Sequence, residues 1–515
     1  MLNLSTLLQE SARRYPDHIA IQFGETSITY TQLNAVANQV ANGLQNMGIQ
    51  PGDKVAMSCP NLPYFPMIYY GILKAGAVAV PLSVLLKKDE ISYLLNDSDA
   101  KAYFCFTGTD VLPMGEMGHA AFHEVSHCEH FFMIMPKMDM KASIYGLKTL
   151  GDFIAGQSGT TDTYQSSAED TALIIYTSGT TGHPKGAELT HNNLMHNAIL
   201  SSGVLDLNKD DRLLIVLPLF HIFGMTVLLN AGIYFGTTLV LMPRFDAVST
   251  YDHMQKHRIT VFAGVPTMYW SLLQCQDPKF DYELIAQNLR ICVSGGASLP
   301  VKVMEDFETR FKVKIYEGYG MSEGAPVVCF NMFEFGRKQG SVGKPVWGVD
   351  VRLVDEQDQE VPTGEKGELI FRGHNVMKGY YKKPQASAEA LRNGWMHSGD
   401  VAVKDEDGFY FIVDRTKDMI NRGGYKVFPR EIEELMVRHP AVSAVAVVGI
   451  PDERLGEEVM ACVVIKEHVN ITDKELIAWS QASMADYKYP RKIKFMDALP
   501  LSATGKILKK DIPRQ

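Results

Sequence analysis

The chain has 515 residues and a formal net charge of -9, with an isoelectric point near 5.9. That length can bury a sizeable core and corresponds to about three domain-sized units. The acidic balance argues against general nucleic-acid binding, which needs a basic footprint, so an anionic ligand must be held by local groups.

The seven Cys, at 59, 105, 128, 275, 292, 329 and 462, form no CxxC pair. They read as reduced thiols of a cytoplasmic protein. The opening MLNLSTLLQESARRYPD lacks the basic start and unbroken apolar core of a secretory signal.

In chain order, Leu33, Val36, Ala37, Val40, Ala41, Leu44 and Met47 fall at helical spacing after a cap at Thr31, and Gly48 ends the run. A PGD turn at 51–53 leads to strand-like KVAMSC, helix-like YFPMIYYGILKAGA and strand-like VAVPL. This is βαβ grammar and implies a parallel sheet with helices on its faces. Residues 105–170, rich in His, Met, Ser, Thr and Gly and poor in periodicity, read as a surface excursion.

A second alternation runs from 211 to 330, with strands near DRLLIVLP, TTLVLM, TVFAGV and RICVSG. The apolar stretch Leu213 to Leu229 is broken by Pro218, His221 and Gly224 and closely flanked by charge. It reads as buried strand, loop and core helix, not a membrane span. Residues 340–414 turn to shorter strands with turns, a small antiparallel barrel-like unit. After the charged, Gly-containing DRTKDMINRGGYK comes a compact α+β module of about one hundred residues. Its tail, from Met484 to Gln515, carries eight Lys or Arg against three Asp. That excess suits either a solvated surface or a contact area for phosphates.

One loop points to chemistry. YTSGTTGHPKG, residues 176–186, comes after a strand-like run and packs three Gly, four hydroxyl residues and one Lys into eleven positions. It lacks the G-K-[ST] ending of a Walker A loop, and Pro184 delays the next helix to a cap at Thr190. It therefore reads as a flexible phosphate wrap, with backbone N–H groups and the hydroxyls of Thr177, Ser178, Thr180 and Thr181 as donors and Lys185 as the charge.

The loop resembles the signature of the adenylate-forming superfamily of acyl-CoA synthetases, luciferases and adenylation domains. SGGASLP (294–300), YEGYGMSE (316–323), GELIFRG (367–373), HSGD (397–400), DRTKDMI (414–420) and SATGKILKK (502–510) match in order. The overall likeness is greatest to bacterial medium- or long-chain fatty acyl-CoA synthetases, notably in FAGVPTMYW (262–270). The implied fold is α/β. A large domain, residues 1–414, holds two mixed or parallel sheets with flanking helices plus the barrel-like unit, and a small mobile α+β domain, 415–515, carries the catalytic lysine. The implied reaction has two steps: a carboxylate attacks the α-phosphate of Mg-ATP, releasing pyrophosphate, and the thiol of coenzyme A then displaces AMP.

Residue roles come from the same resemblance. Lys506 would stand between carboxylate and α-phosphate, and Glu323 with Thr180 would hold Mg2+. Thr177, Ser178, Gly179, Thr180, Thr181, Gly182 and Lys185 would wrap the phosphates. Gly295, Gly296 and Ala297 would form a wall for adenine, with Tyr319 stacked on the other side, while Asp400 would hold the ribose hydroxyls and Arg415 the ribose or phosphate. Glu317, Gly318, Gly320, Met321, Ser322 and Ile412 would also belong to the nucleotide site. Lys417 marks the hinge, and Gly423, Gly424 and Lys426 belong to a loop lining the pantetheine tunnel in the second step. His221, Phe223, Phe262, Val265, Gly296 and Met321 would form the acid pocket, with His221 also a catalytic candidate.

Ser398 replaces a commoner Thr, and Leu501 stands where a basic residue is frequent. Such a pocket suits an aliphatic tail or an aryl or cinnamate-like ring, since apolar burial is non-directional. Transfer to a carrier protein in trans is a further alternative, and a non-catalytic scaffold that kept the fold is the reading from another class. Expected partners are small carboxylic acids and no nucleic acid. There is room for a homodimer and for peripheral membrane association without stable insertion.

Overall fold

The computed structural model describes residues 2–177, 183–415 and 418–514. Among them, a nine-stranded sheet runs in the order Lys344–Pro345, Val327–Phe330, Ile315–Gly320, Ile291–Ser294, Val261–Gly264, Arg212–Ile215, Thr238–Leu241, Ile19–Phe23 and Thr26–Thr29. From Ile19–Phe23 through Ile315–Gly320 every pairing is parallel. An eight-stranded sheet contains the parallel strands Lys54–Ser58, Val78–Pro81 and Ala100–Phe106, and the hairpin of Thr171–Thr177 with Lys185–Thr190. These strands are buried and rich in Val, Ile, Leu and Ala, as sheets covered on both faces require.

The barrel-like unit is a four-stranded antiparallel sheet of Val349–Val354, Lys366–Gly373, Met396–Lys404 and Tyr410–Arg415. The short strand Gly379–Tyr380 leaves it to pair with Lys185–Thr190 at the edge of the eight-stranded sheet. After Ile420 the chain forms a terminal lobe with its own five-stranded sheet. Its core includes Ile420, Val427, Ile432, Val447, Val459 and Leu476, separate from the large core of the preceding lobe.

Two expectations need correcting. Residues 105–170 are not a surface excursion: His130–Ile134 adds a parallel strand to the eight-stranded sheet, and Phe132 packs against Phe104 and Phe153. Its continuous apolar run HFFMI has no alternation for a periodicity reading to detect. The helix expected from Thr31 is instead capped by Thr29 and spans Tyr30–Asn46, because Thr29 and Gln32 form a reciprocal capping box.

The apolar stretch after Leu213 becomes the strand Arg212–Ile215, a connecting loop, and a π-helical turn at Phe223–Asn230 that continues into Ala231–Phe235. A π-helical register is uncommon and concentrates at functional sites. Among the described residues no helix is long and apolar enough to cross a membrane.

Thr190 caps the helix His191–Val204, bonding Asn193 reciprocally at 3.1 and 2.9 Å. This fixes the exit of the 176–186 loop. Thr190→Ala is expected to destabilise the large lobe by about 1 kcal/mol, read as an earlier urea transition of that lobe.

Candidate functional site

The parallel strands of the large sheet end side by side, and the segments leaving them face one crevice. Ile291–Ser294 leads into Gly295 and Gly296, and Ile315–Gly320 into Met321 and a short turn bearing Glu323. Val261–Gly264 leads into Val265 and the helix Pro266–Gln274. Open parallel sheets bind ligands at these carboxyl ends, because loops there converge from neighbouring strands.

Lys506 reaches this crevice from the terminal lobe. It closes a turn in which Ser502 N–H donates to the Lys506 carbonyl at 2.8 Å and Ser502 Oγ accepts from Lys506 N–H at 3.0 Å. A Cβ at Gly296, where φ is +79°, would stand 3.1 Å from Lys506 Cε, so the absence of a side chain there lets the lysine stem pass. Burial lowers the ammonium from its ordinary 10.5 to about 8; the charge of Arg415 adds to this, while Asp400 and Glu323 oppose it. Its Nζ has no ion pair or hydrogen bond among the described residues.

Asp400 is buried. It accepts from the Tyr319 hydroxyl at 2.5 Å and meets Arg415 Nε at 3.3 Å. Burial raises its carboxyl, and Arg415 partly offsets this. Glu323 Oε1 accepts from the hydroxyls of Tyr380, at 2.8 Å, and Thr177, at 3.4 Å. The Lys185 ammonium lies 5.3 Å from the centre of the Tyr380 ring, which links the phosphate loop's charge to that carboxylate.

His221 Nδ1 accepts from the Phe223 N–H at 3.3 Å, leaving Nε2 as the donor. Burial, reinforced by the Lys506 charge, lowers the imidazole to about 3, so it is neutral at physiological pH. Glu317 is fully desolvated: Oε1 accepts from Leu299 N–H at 2.9 Å, Oε2 has no partner among the described residues, and burial pushes the carboxyl up to about 7. Phe223 lies against Gly295, where a Cβ would meet its ring at 3.2 Å. Val265 reaches toward Gly296, and Phe262 is wholly buried with its ring edge-on to Tyr269.

The crevice thus gathers Thr177, His221, Phe223, Val265, Gly295, Gly296, Tyr319, Glu323, Asp400, Arg415 and Lys506. It does not gather Gly423, Gly424 or Lys426. Their hairpin bonds Leu455 through Gly423 N–H at 2.8 Å and pairs Lys426 with Glu356 at 3.1 Å. Ser178, Gly179, Thr180, Thr181, Gly182 and Lys417 lie outside the described residues.

Sequence reasoning missed Tyr380, which the Tyr pair in MKGYYKKP could have flagged. It also missed Thr267, which stands inside FAGVPTMYW. The groups present suit the expected ligands. Glu323 with its hydroxyl neighbours supplies the hard oxygens that Mg2+ takes. The small Gly295–Gly296 wall and the Asp400 carboxylate suit the face and ribose of an adenine nucleotide.

The AMP-binding enzyme family matches this chain over residues 8–381, and the AMP-binding enzyme C-terminal domain matches it over 431–506. The chain belongs to this family. It is 34% identical to a long-chain-fatty-acid–CoA ligase of Bacillus subtilis (strain 168), over 98% of this chain and 93% of that protein. It is 36% identical to a feruloyl-CoA synthase of an Amycolatopsis species, over 98% and 97%. The crystal structure of the anthranilate CoA ligase AuaEII in complex with anthranoyl-AMP superposes with a TM-score of 0.90 at 30% identity, covering 98% of this chain and 95% of that one.

Removing the Tyr380 hydroxyl leaves the Glu323 carboxylate with one weak side-chain donor among the described residues, Thr177 at 3.4 Å. Tyr380→Phe is expected to raise half-saturating Mg2+ severalfold, measured by titrating the metal at saturating ATP and by calorimetric binding of Mg-ATP.

Proposed function

We propose that this protein is an AMP-forming acid–CoA ligase that activates a medium- or long-chain fatty acid. The observation that carries the reading is the docking of Lys506, partner-free among the described residues, into the crevice that also holds Glu323, Asp400 and Arg415. An acid and ATP repel as they approach, and a preorganised ammonium between them reduces that repulsion as the new bond forms. The neutral His221 directs Nε2–H as a donor to the substrate carboxylate. Asp400 and Arg415 hold the ribose and α-phosphate side, and Lys185 the outer phosphates. Glu323 would hold Mg2+, which would supply neutralising charge at the phosphates.

Residues 1–414 act as the binding domain, and residues from 415 onward as a lobe that turns at Lys417 between steps. The turn removes Lys506 and brings the Gly423–Gly424 hairpin to the thiol. The hairpin's position away from the crevice agrees with the first-step arrangement. We place the protein in the cytoplasm, consistent with its free thiols.

An aryl or cinnamate-type acid is the second reading, supported by the likeness to feruloyl-CoA synthase. Incubation with Mg-ATP and CoA against fatty and aryl acids, counting AMP and thioester, separates the two. AMP without thioester would point to a carrier protein as acceptor, and neither product to a scaffold.

Lys506→Ala is expected to lose about a hundredfold or more, roughly 3 kcal/mol, in adenylate formation. It should still convert supplied acyl-AMP and CoA to thioester, and equal loss of both steps would contradict the assignment. Only the ammonium form neutralises charge. The kcat/KM for adenylate formation, which reports the free enzyme, should therefore fall as pH rises through about 8. An ordinary lysine would hold that limb near 10.5.

A further inference from the structure

Within the turn that carries Lys506, among the described residues, one hydrogen bond ties residues 502–506 to the large lobe. Thr267 Oγ1 donates to the Gly505 carbonyl at 2.8 Å. Thr267 sits in the first turn of the helix Pro266–Gln274, whose start is fixed by Pro266 and preceded by Val265.

Packing around this bond is close. A Cβ at Gly505, where φ is +79°, would stand 2.9 Å from Val265 Cγ2 and 3.2 Å from Thr267 Oγ1. A Cβ at Gly296 would stand 3.5 Å from Val265 Cγ1, and Ala503 packs against the core of the large lobe. Val265 therefore wedges between Gly296 and Gly505, with Thr267 bonded beside it. The ion pairs Lys366–Glu431 and Lys426–Glu356 also join the lobes, but the first is partly and the second largely exposed, and such pairs contribute little. Neither touches the turn.

We propose that Thr267 is a positioning residue: its hydroxyl latches the Lys506 turn onto the wall of the acid pocket and sets how much of the time the amine is docked. Because Val265 belongs both to that wall and to the seat of the turn, an acid that orders the wall also orders the seat. Acid occupancy and lysine docking are then coupled through the three residues Val265, Pro266 and Thr267. This inference rests on the two-step reaction proposed above and adds a residue that acts through Lys506 without touching substrate.

Thr267→Val keeps the shape and removes the donor, and Thr267→Ser restores it. In wild-type enzyme and both variants, two half-reactions are measured: acid-dependent exchange of pyrophosphate into ATP without CoA, and thioester formation from supplied acyl-AMP and CoA. Thr267→Val is expected to slow the first by about five- to tenfold, the scale of one net hydrogen bond, and to leave the second within twofold. Thr267→Ser should stay near wild type.

Labelling of Lys506 by an amine-reactive ester, with mass spectrometry to locate the label, reports docking without any turnover. It should be severalfold faster in Thr267→Val, and added acid should slow it in wild type. Gly505→Ala, which crowds Val265, should shift both readouts the same way. Equal loss in both half-reactions, or unchanged labelling of Lys506 in Thr267→Val, overturns the latch. A wild-type enzyme that exchanges pyrophosphate with no acid would instead overturn the functional reading, while the labelling result still decides the latch.

Discussion

A lysine ammonium drawn out of water beside a guanidinium, with two carboxylates close by, is the constraint on which the rest of this structure depends. Such an amine is costly to bury, and the cost shows in its lowered affinity for a proton. Among the described residues no direct ion pair neutralises it. It stays docked because the turn that carries it is seated on Gly296, Val265 and Thr267. An anionic substrate pair entering the crevice would supply the missing counter-charge, so the site is better matched to its occupied state than to its empty one.

The large lobe is arranged around that demand. Parallel strands end together and present small residues, Gly295 and Gly296, where backbone and lysine must approach closely. Acidic groups are held by hydroxyls more than by cations: Tyr319 on Asp400, Tyr380 and Thr177 on Glu323. A neutral donor fixes the orientation of a carboxylate without adding a counter-charge, and the Tyr380 and Thr177 hydroxyls set the position of Glu323 in this way. In the proposed two-step reaction, the terminal lobe would bring one lysine to this place and take it away again.

Fold and site were legible in the sequence to different degrees. Strands such as KVAMS and ICVS announced themselves by apolar runs between turn residues. HFFMI at 130–134 did not, since its neighbours are irregular and its partners lie far away in the chain. Ordered motifs named Glu323, Asp400, Arg415 and Lys506 because each carries a charge in a recognisable local pattern. Tyr380 and Thr267 were missed because their significance is entirely a matter of what they touch, in segments 57 and 238 residues distant.

By itself the sequence determined the class of chemistry: the phosphate loop, the acidic and basic residues that an adenylate-forming enzyme needs, and the alternation that builds a parallel sheet. Those are local properties, set by side-chain type and spacing over a few residues. Only the tertiary structure decided that Lys506 is docked, that His221 is neutral, and that Glu317 Oε2 lacks a partner among the described residues. Each depends on desolvation by segments distant in the chain, whereas the His221 tautomer is set locally by the N–H of Phe223, two residues on. No window of sequence contains that desolvation, because it arises when distant strands end at the same place.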